Sequence, residues 1–271
     1  MPVITTNTAA NTALRYLNEN SSAQSENLAR ISSGSRITKA SDDASGLAIG
    51  TKLQTDVATL SQAQTNVSHG QSILAVADGG LSAISDILER MKSLAAQSLS
   101  GAVSDSERAY IDAEFDALVS EINSTVAATT FNGTALLDGS YSANFMSGSQ
   151  SSDILTVALT DAFTTTGLSV GGTGLDSEAN ASAEITNIDA AIDAVAAGRA
   201  DVGALMSRFE FRESMLASAT ENVDAAQSAI MDADVASEQA ELSSNKVLTQ
   251  AAIAALSQAN QLPQDLLDLL R

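Results

Sequence analysis

Along residues 185–230 the apolar side chains recur in alternating steps of three and four. Ile185, Ile188, Ile192, Val195, Val202, Met206, Phe209, Leu216, Val223 and Ile230 hold most places, with Arg199, Glu213, Thr220 and Gln227 filling the rest. A mean repeat of 3.5 residues kept up for about six heptads predicts a coiled-coil seam on one helix roughly 70 Å long. Gly198 and Gly203 fall inside this stretch. Each costs about 1 kcal/mol relative to Ala, which predicts another backbone in close approach. Leu53, Val57, Leu60, Gln64, Val67, Gln71 and Leu74 follow the same stepping, and the seam is expected to resume beyond Gly79 and Gly80 in a shifted phase, at Leu81, Ile84, Leu88 and Met91. One helix is therefore predicted over 44–98. A loop at Gly101 reverses the chain, and Ser104 with Glu107 forms a capping box. The helix it opens carries Ile111, Phe115, Leu118, Ile122 and Val126. Three antiparallel helices around one core follow, and with only Pro2 and Pro263 present no proline interrupts them.

From Phe131 to Gly174 the texture changes. The turn pairs Asn132-Gly133 and Asp138-Gly139 and the run Ile154 to Leu159 predict one or two small β-hairpins in a tip at about 131–176, rich in Ser and Thr. The two ends carry narrow stripes: Ala10, Leu14, Leu17, Gln24, Leu28 and Ile31 near the start, and Val235, Leu242, Val247, Leu248, Ile253, Leu256 and Leu262 near the finish. Residues 251–256 are apolar on every side of a helix, so a single partner helix leaves part of that circumference in water. The terminal helices are thus expected to reach full burial only among several copies of the chain, and to be largely disordered in the free monomer. The fold class that emerges is mainly α: long antiparallel coiled-coil helices, a small β-hairpin region, and paired N- and C-terminal segments. Residues 1–43 and 233–271 form the terminal layer and 44–232 the helical shell.

Composition narrows the function. Aromatic residues make up 3% of the chain and Trp is absent, which suits thin helical seams. Thirteen basic against thirty-three acidic residues give a formal charge of −20. Such a surface repels phosphate backbones and anionic lipid, so neither nucleic acid nor membrane is an expected partner. The residues 247–264 are too polar for a membrane span. There are no cysteines, which removes disulfides, thiolate metal sites and cysteine nucleophiles. The stretch MPVITTNTAANTAL lacks the apolar core of a secretory signal. The expectation is either a cytosolic protein or export by a route that needs no cleaved signal.

No catalytic, cofactor or metal constellation emerges. His69, the one histidine, has no second ligand or base partner at helical spacing. Asp42-Asp43 and Asp232, Asp234 and Glu238 lack the glycine turn and ligand spacing of a calcium loop, and they fit helix capping or a solvated face. Gly171, Gly172 and Gly174 lack the Lys-Ser/Thr of a phosphate loop and fit a turn.

Several segments carry a specific resemblance. LARISSGSRITKASDDASGLAI, from Leu28 to Ile49, resembles the N-terminal signature of bacterial flagellins. RADVGALMSRFEF, from Arg199 to Phe211, AIMDADVASEQAEL around Ile230, and SQANQLPQDLLDLLR, from Ser257 to Arg271, resemble the C-terminal one, and FNGTALLDG, from Phe131 to Gly139, the turn that opens the hairpin region. Ser207 departs from the family's usual Asn, and the short middle leaves no room for large outer domains.

The resemblance implies a minimal flagellin, an extracellular structural subunit that polymerises with itself into a motility filament. Export unfolded through the flagellar type III apparatus follows, with a chaperone, the cap and the hook-junction proteins as partners. A hook-filament junction protein and a cytosolic coiled-coil scaffold stay open as alternatives. Expected subunit contacts are Leu14, Leu17, Leu28, Ile31, Val247, Leu248, Ile253, Leu256, Leu262 and Leu266. Gly34, Arg36, Asp42, Asp43 and Gly46 form an expected joint between layers, with Arg36 and Lys39 facing the two aspartates. Arg90, Leu94 and Glu114 match, by resemblance, contacts that a vertebrate innate receptor makes on some flagellins.

Overall fold

The computed structural model describes residues 6–269, with side chains up to 261. Among the described residues six helices and four short strands follow one another: α1 (Thr8–Ser33), α2 (Ala44–Ser98), α3 (Asp105–Ala128), β1 (Thr130–Phe131), β2 (Thr134–Ala135), β3 (Tyr141–Met146), β4 (Ile154–Leu159), α4 (Thr165–Leu168), α5 (Glu178–Met231) and α6 (Val235–Leu269). The chain divides into two compact units, Met1–Asp56 with Asn222–Arg271, and Val57–Glu221.

In the second unit most buried positions of α2 run in two parallel heptad lines, with Ile73, Gly80 and Leu94 buried beside them. Leu60, Val67, Leu74, Leu81, Leu88 and Ala95 form one, and Ala63, Gly70, Ala77, Ile84, Met91 and Ser98 the other. The phase shift expected at Gly79-Gly80 therefore does not occur. The second line carries small residues at Ala63, Gly70 and Ala77 and large ones only at Ile84 and Met91, so only that later part stands out as apolar in sequence. On α5 the line Ala181, Ile188, Val195, Val202, Phe209 and Leu216 is buried at steps of seven. Partners fall in number along α5 as they rise along α2: Gln71 bonds Glu213 at 3.0 Å, Asp78 bonds Arg199 at 3.0 Å and Lys92 pairs with Asp189. The two helices are therefore antiparallel. α3 runs back along α2 in the same way, through Arg90 with Glu114 and the Ser98 carbonyl with Arg108.

Small residues set how closely these elements meet. A Cβ at Gly70 would overlap the ring of Phe209, and one at Gly198 would overlap Phe163. Gly198 thus has its close neighbour within the unit, while a Cβ at Gly203 meets nothing within 4 Å.

The capping box at Ser104 is present, its backbone N–H donating to Glu107 at 2.8 Å. That contact, then the Ser104 hydroxyl, holds the Glu107 carboxyl below the usual range. β1 and β2 are joined by Asn132 and Gly133 at φ 51° and 80°, a two-residue turn whose twist matches the flanking strands. β3 and β4 pair antiparallel, from Tyr141 opposite Leu159 to Met146 opposite Ile154. Burial alternates along β4, with Leu155, Val157 and Leu159 inside. Phe145 sets its ring edge-to-face on Phe209, 5.7 Å between centroids.

Candidate assembly interface

In the first unit α1 and α6 pair, and the pairing is antiparallel: Asn7 reaches the Ala259 carbonyl while Asn27 reaches Glu238. The seam between them mixes small and polar side chains with a few large apolar ones. Asn27, Leu242, Ala252 and Ala259 are its buried members, with Ala13, Leu17, Ile31, Asn245 and Leu256 partly covered. Other large apolar residues point elsewhere: Leu14, Leu28, Val247, Leu248 and Ile253 are about half exposed or more, Val247 at 62%. Burying one such side chain is worth about 1.5–3 kcal/mol, so this outer face is a strong surface for association. The expected contact set therefore sorts in two, with Leu17, Ile31 and Leu256 in the seam and the five others outside it. Leu262 and Leu266 lie outside the described residues.

A polar cluster pins the seam. The Asn27 amide donates to Glu238 at 2.7 Å and Glu241 at 3.1 Å, and its oxygen accepts from Asn245 at 3.0 Å. Arg30 pairs with Glu238 at 3.2 Å, leaving its Nε buried and without a hydrogen-bond partner among the described residues. A buried asparagine with cross-helix partners satisfies its bonds in one register only. The sequence reading did not pick out this cluster, because Asn27 falls outside the apolar stripe of α1.

After α1 the chain turns at Gly34, at φ 70°, its N–H donating to the Arg30 carbonyl at 2.9 Å. Backbone bonds then tie the segment to the end of α5: the Arg36 N–H donates to Met231 at 2.7 Å and the Ala233 N–H to Gly34 at 3.0 Å. The Arg36 guanidinium donates to the Ile230 carbonyl at 2.8 and 3.2 Å. It does not face the aspartates, because the α5 C-terminus offers a carbonyl that the helix itself leaves unsatisfied. Asp42 accepts from the Lys39 N–H, the Thr38 N–H and the Thr38 hydroxyl at 3.0–3.1 Å. Those bonds, the Lys39 N–H foremost, hold its carboxyl below the usual range. Asp43 accepts from the Gly46 N–H at 2.8 Å at the start of α2, and a Cβ at Gly46 would strike Asp43 and Ile37.

In the second unit Arg90 and Glu114 form a half-exposed ion pair. Leu94 is 2% exposed and belongs to the core, not to the surface beside them, because it lies within a turn of the buried Met91, Ala95 and Ser98 on the inward side of α2. Two buried charges that sequence reading missed close the loops of this unit. Arg108 donates to the Ser98 and Ser100 carbonyls at 2.9 and 3.2 Å. Glu184, fully buried, accepts from the Gly171 N–H, from the Thr173 hydroxyl at 2.6 Å and from Asn187 at 3.0 Å.

His69 is exposed, and no group of three metal-ligating side chains occurs among the described residues. No helix among them is long and apolar enough to cross a membrane.

Comparison with known proteins agrees with this architecture. Residues 4–142 match the family model of the bacterial flagellin N-terminal helical region, and residues 185–270 that of the C-terminal helical region. The chain is 35% identical to the flagellar filament 30.7 kDa core protein of Treponema maltophilum, covering 99% of each. It is 36% identical to a flagellin of Halalkalibacterium halodurans, over 99% of this chain and 100% of that one. Among solved structures, the crystal structure of Bacillus cereus flagellin matches at 30% identity and a TM-score of 0.51, over 56% of this chain and 88% of that one. A flagellar hook-associated protein from Vibrio parahaemolyticus shares the fold, with a TM-score of 0.59 at 15% identity over 70% and 99%.

Proposed function

Because this chain belongs to the bacterial flagellin family, a family of structural filament proteins and not of enzymes, we propose that the outer face of its α1/α6 pair is where copies pack in the flagellar filament. The chain is a structural subunit that polymerises with itself into that extracellular filament. The observation that carries the finer reading is the exposure of Leu14, Leu28, Val247, Leu248 and Ile253 on a helix pair already closed by its own seam. On this reading residues 1–43 and 233–271 form the inner layer, 44–232 the surrounding shell, and the segment from Gly34 to Gly46 the joint. Secretion unfolded through the flagellar type III apparatus, with a chaperone and with addition beneath a cap beyond the hook junction, belongs to the same proposal. A chain without cysteines can be threaded through a narrow channel with no disulfide to reduce. Arg90 and Glu114 offer an exposed ion pair to a vertebrate innate receptor, with Leu94 supporting α2 from beneath.

The test is the triple variant Val247→Ser, Leu248→Ser, Ile253→Ser. It is expected to form no filaments under the electron microscope while its circular dichroism stays helical. Filaments of normal yield from that variant refute the assignment.

A further inference from the structure

The sequence holds one Asn-Gly pair, Asn132-Gly133, and two Asp-Gly pairs, Asp78-Gly79 and Asp138-Gly139. A glycine after an amide or acid side chain matters chemically, because without a Cβ its backbone nitrogen can swing onto the side-chain carbonyl carbon of the residue before it. The two Asp-Gly pairs are held against this. Asp78 and Gly79 lie inside α2, where the helix fixes the peptide between them, and the Asp78 carboxylate accepts from Arg199 at 3.0 Å. Asp138 accepts from the Ser140 N–H at 3.0 Å and from its hydroxyl at 2.8 Å, and these bonds keep the carboxyl below its ordinary range, in the ionised form that does not cyclise. Gly139 is hemmed in as well, since a Cβ there would sit 3.0 Å from the Thr160 carbonyl. Asn132-Gly133 has none of these restraints. Both residues are exposed, no hydrogen bond among the described residues engages the Asn132 carboxamide, and a Cβ at Gly133 meets nothing within 4 Å.

We propose that Asn132-Gly133 is a self-modification site whose rate is gated by closure of the turn between β1 and β2. The Gly133 nitrogen gives its proton to solvent base and bonds to the side-chain carbonyl carbon of Asn132. The bond from that carbon to the amide nitrogen breaks, and ammonia leaves. One water then opens the five-membered imide at either carbonyl to give an aspartate or an isoaspartate, with nothing oxidised or reduced. Ring closure needs the Asn132 Cα–C bond rotated by roughly half a revolution from the left-handed position that its φ of 51° and the two-residue turn impose. The closed turn therefore protects its own asparagine, and an unfolded chain does not. The isoaspartate runs the main chain through the side chain and adds one methylene to the turn. Phe131 opposite Thr134 and Thr130 opposite Ala135 then lose register. The damage reaches the core, because Leu136 and Leu137 follow β2 directly, both buried, and Leu137 lies against Gly80 of α2. A chain that lingers unfolded is thus marked, and the mark keeps the hairpin from closing. This property goes beyond the filament reading and does not depend on it.

Incubation of the full chain at mildly alkaline pH, in native buffer and in concentrated guanidinium, tests it. Isoaspartate is read with a protein isoaspartyl methyltransferase and labelled S-adenosylmethionine, and its position by mass spectrometry. In guanidinium the label is expected to accrue mainly at Asn132, with Gly133→Ala slowing it about tenfold through the added Cβ. In native buffer the rate at Asn132 is expected to fall by at least about tenfold, since only the open fraction reacts. Equal rates in the two solvents, or label spread evenly over the other asparagines, overturn the proposal. Modified chains, separated on anion exchange by their added negative charge and returned to native buffer, are expected to be cut by chymotrypsin after Leu136 or Leu137 about fivefold faster than the parent. Asn132→Asp carries the charge without the methylene and suits the same turn, so it is expected to be cut at the parental rate. Modified chains as resistant as the parent overturn the proposal, and so does Asn132→Asp cut as fast as they are, since charge alone would then suffice.

Discussion

Gly70 and Phe209 form a knob and hole whose coupling can be worked out in advance. Phe209 is fully buried, lies against the bare backbone of Gly70, and is held from the other side by the edge of Phe145. Phe209→Ala removes the ring and leaves a cavity, a change worth about 3–5 kcal/mol. Gly70→Ala pushes a methyl into that ring. Overpacking costs about 1–3 kcal/mol, and the better helix propensity of Ala returns about 0.5–1 kcal/mol. The single variant is then destabilised by roughly 0–2.5 kcal/mol. In the double variant the methyl has no ring to strike and fills part of the cavity. Its loss should fall short of the sum of the two by about 1 kcal/mol or more. Urea unfolding of the four proteins measures this. There is no Trp, and in a Tyr16→Phe background the remaining Tyr110 and Tyr141 both report on the unit Val57–Glu221. Additivity to within about 0.5 kcal/mol refutes the knob-and-hole account.

Three further outcomes follow from the same geometry. Glu184→Ala strands the Gly171 N–H, the Thr173 hydroxyl and the Asn187 amide, and should cost about 3 kcal/mol in the same unfolding assay, with Glu184→Gln costing less. Asp42 has its folded-state pKa below its ordinary 3.8, so its contribution is present above that value and is lost as pH falls through the folded one. Amide exchange at Thr38 and Lys39 should quicken relative to Asp42→Asn between pH 5 and pH 2, and stay level from pH 5 to pH 8. Packing of subunits at a formal charge of −20 should be promoted by salt, and an elongation rate indifferent to ionic strength argues against it.

The long helices were legible because their seams are periodic. The range 44–98 predicted from the stepping is the range of α2, and the Ser104 box marks the start of α3. Periodicity misled where size and polarity part company. Ala63, Gly70 and Ala77 are as buried as Ile84 and Met91, yet they do not register as an apolar stripe. The buried charges were invisible for a related reason. Glu184 sits on a heptad line with Ala191 and Gly198, and besides Asn187 its partners, the Gly171 N–H and the Thr173 hydroxyl, are loop groups that no spacing rule points to. The terminal stripes were legible as apolar. Which of their residues close the pair and which remain outside depends on rotational phase, and that phase is set by Asn27, a residue that an apolar pattern passes over.

That phase has a functional consequence. The seam joins Ala13, Ala252 and Ala259 to Leu17, Ile31, Leu242 and Leu256, and apolar contacts of this kind do not by themselves fix one register against a slide of α1 along α6 by one heptad, roughly 10 Å. The same slide carries Leu14 and Leu28 past Val247, Leu248 and Ile253, and so breaks up the outer surface that neighbouring copies must match. Asn27 opposes the slide because its bonds to Glu238, Glu241 and Asn245 are met together in one register. Replacing it by Leu exchanges polar bonds for apolar contact, which is often neutral or stabilising for a paired helix. Asn27→Leu is therefore expected to keep or raise the thermal stability of the α1/α6 pair while lowering filament yield and helical order in electron micrographs. Filaments of parental yield and order from Asn27→Leu defeat the argument, since register would then be fixed without the polar cluster.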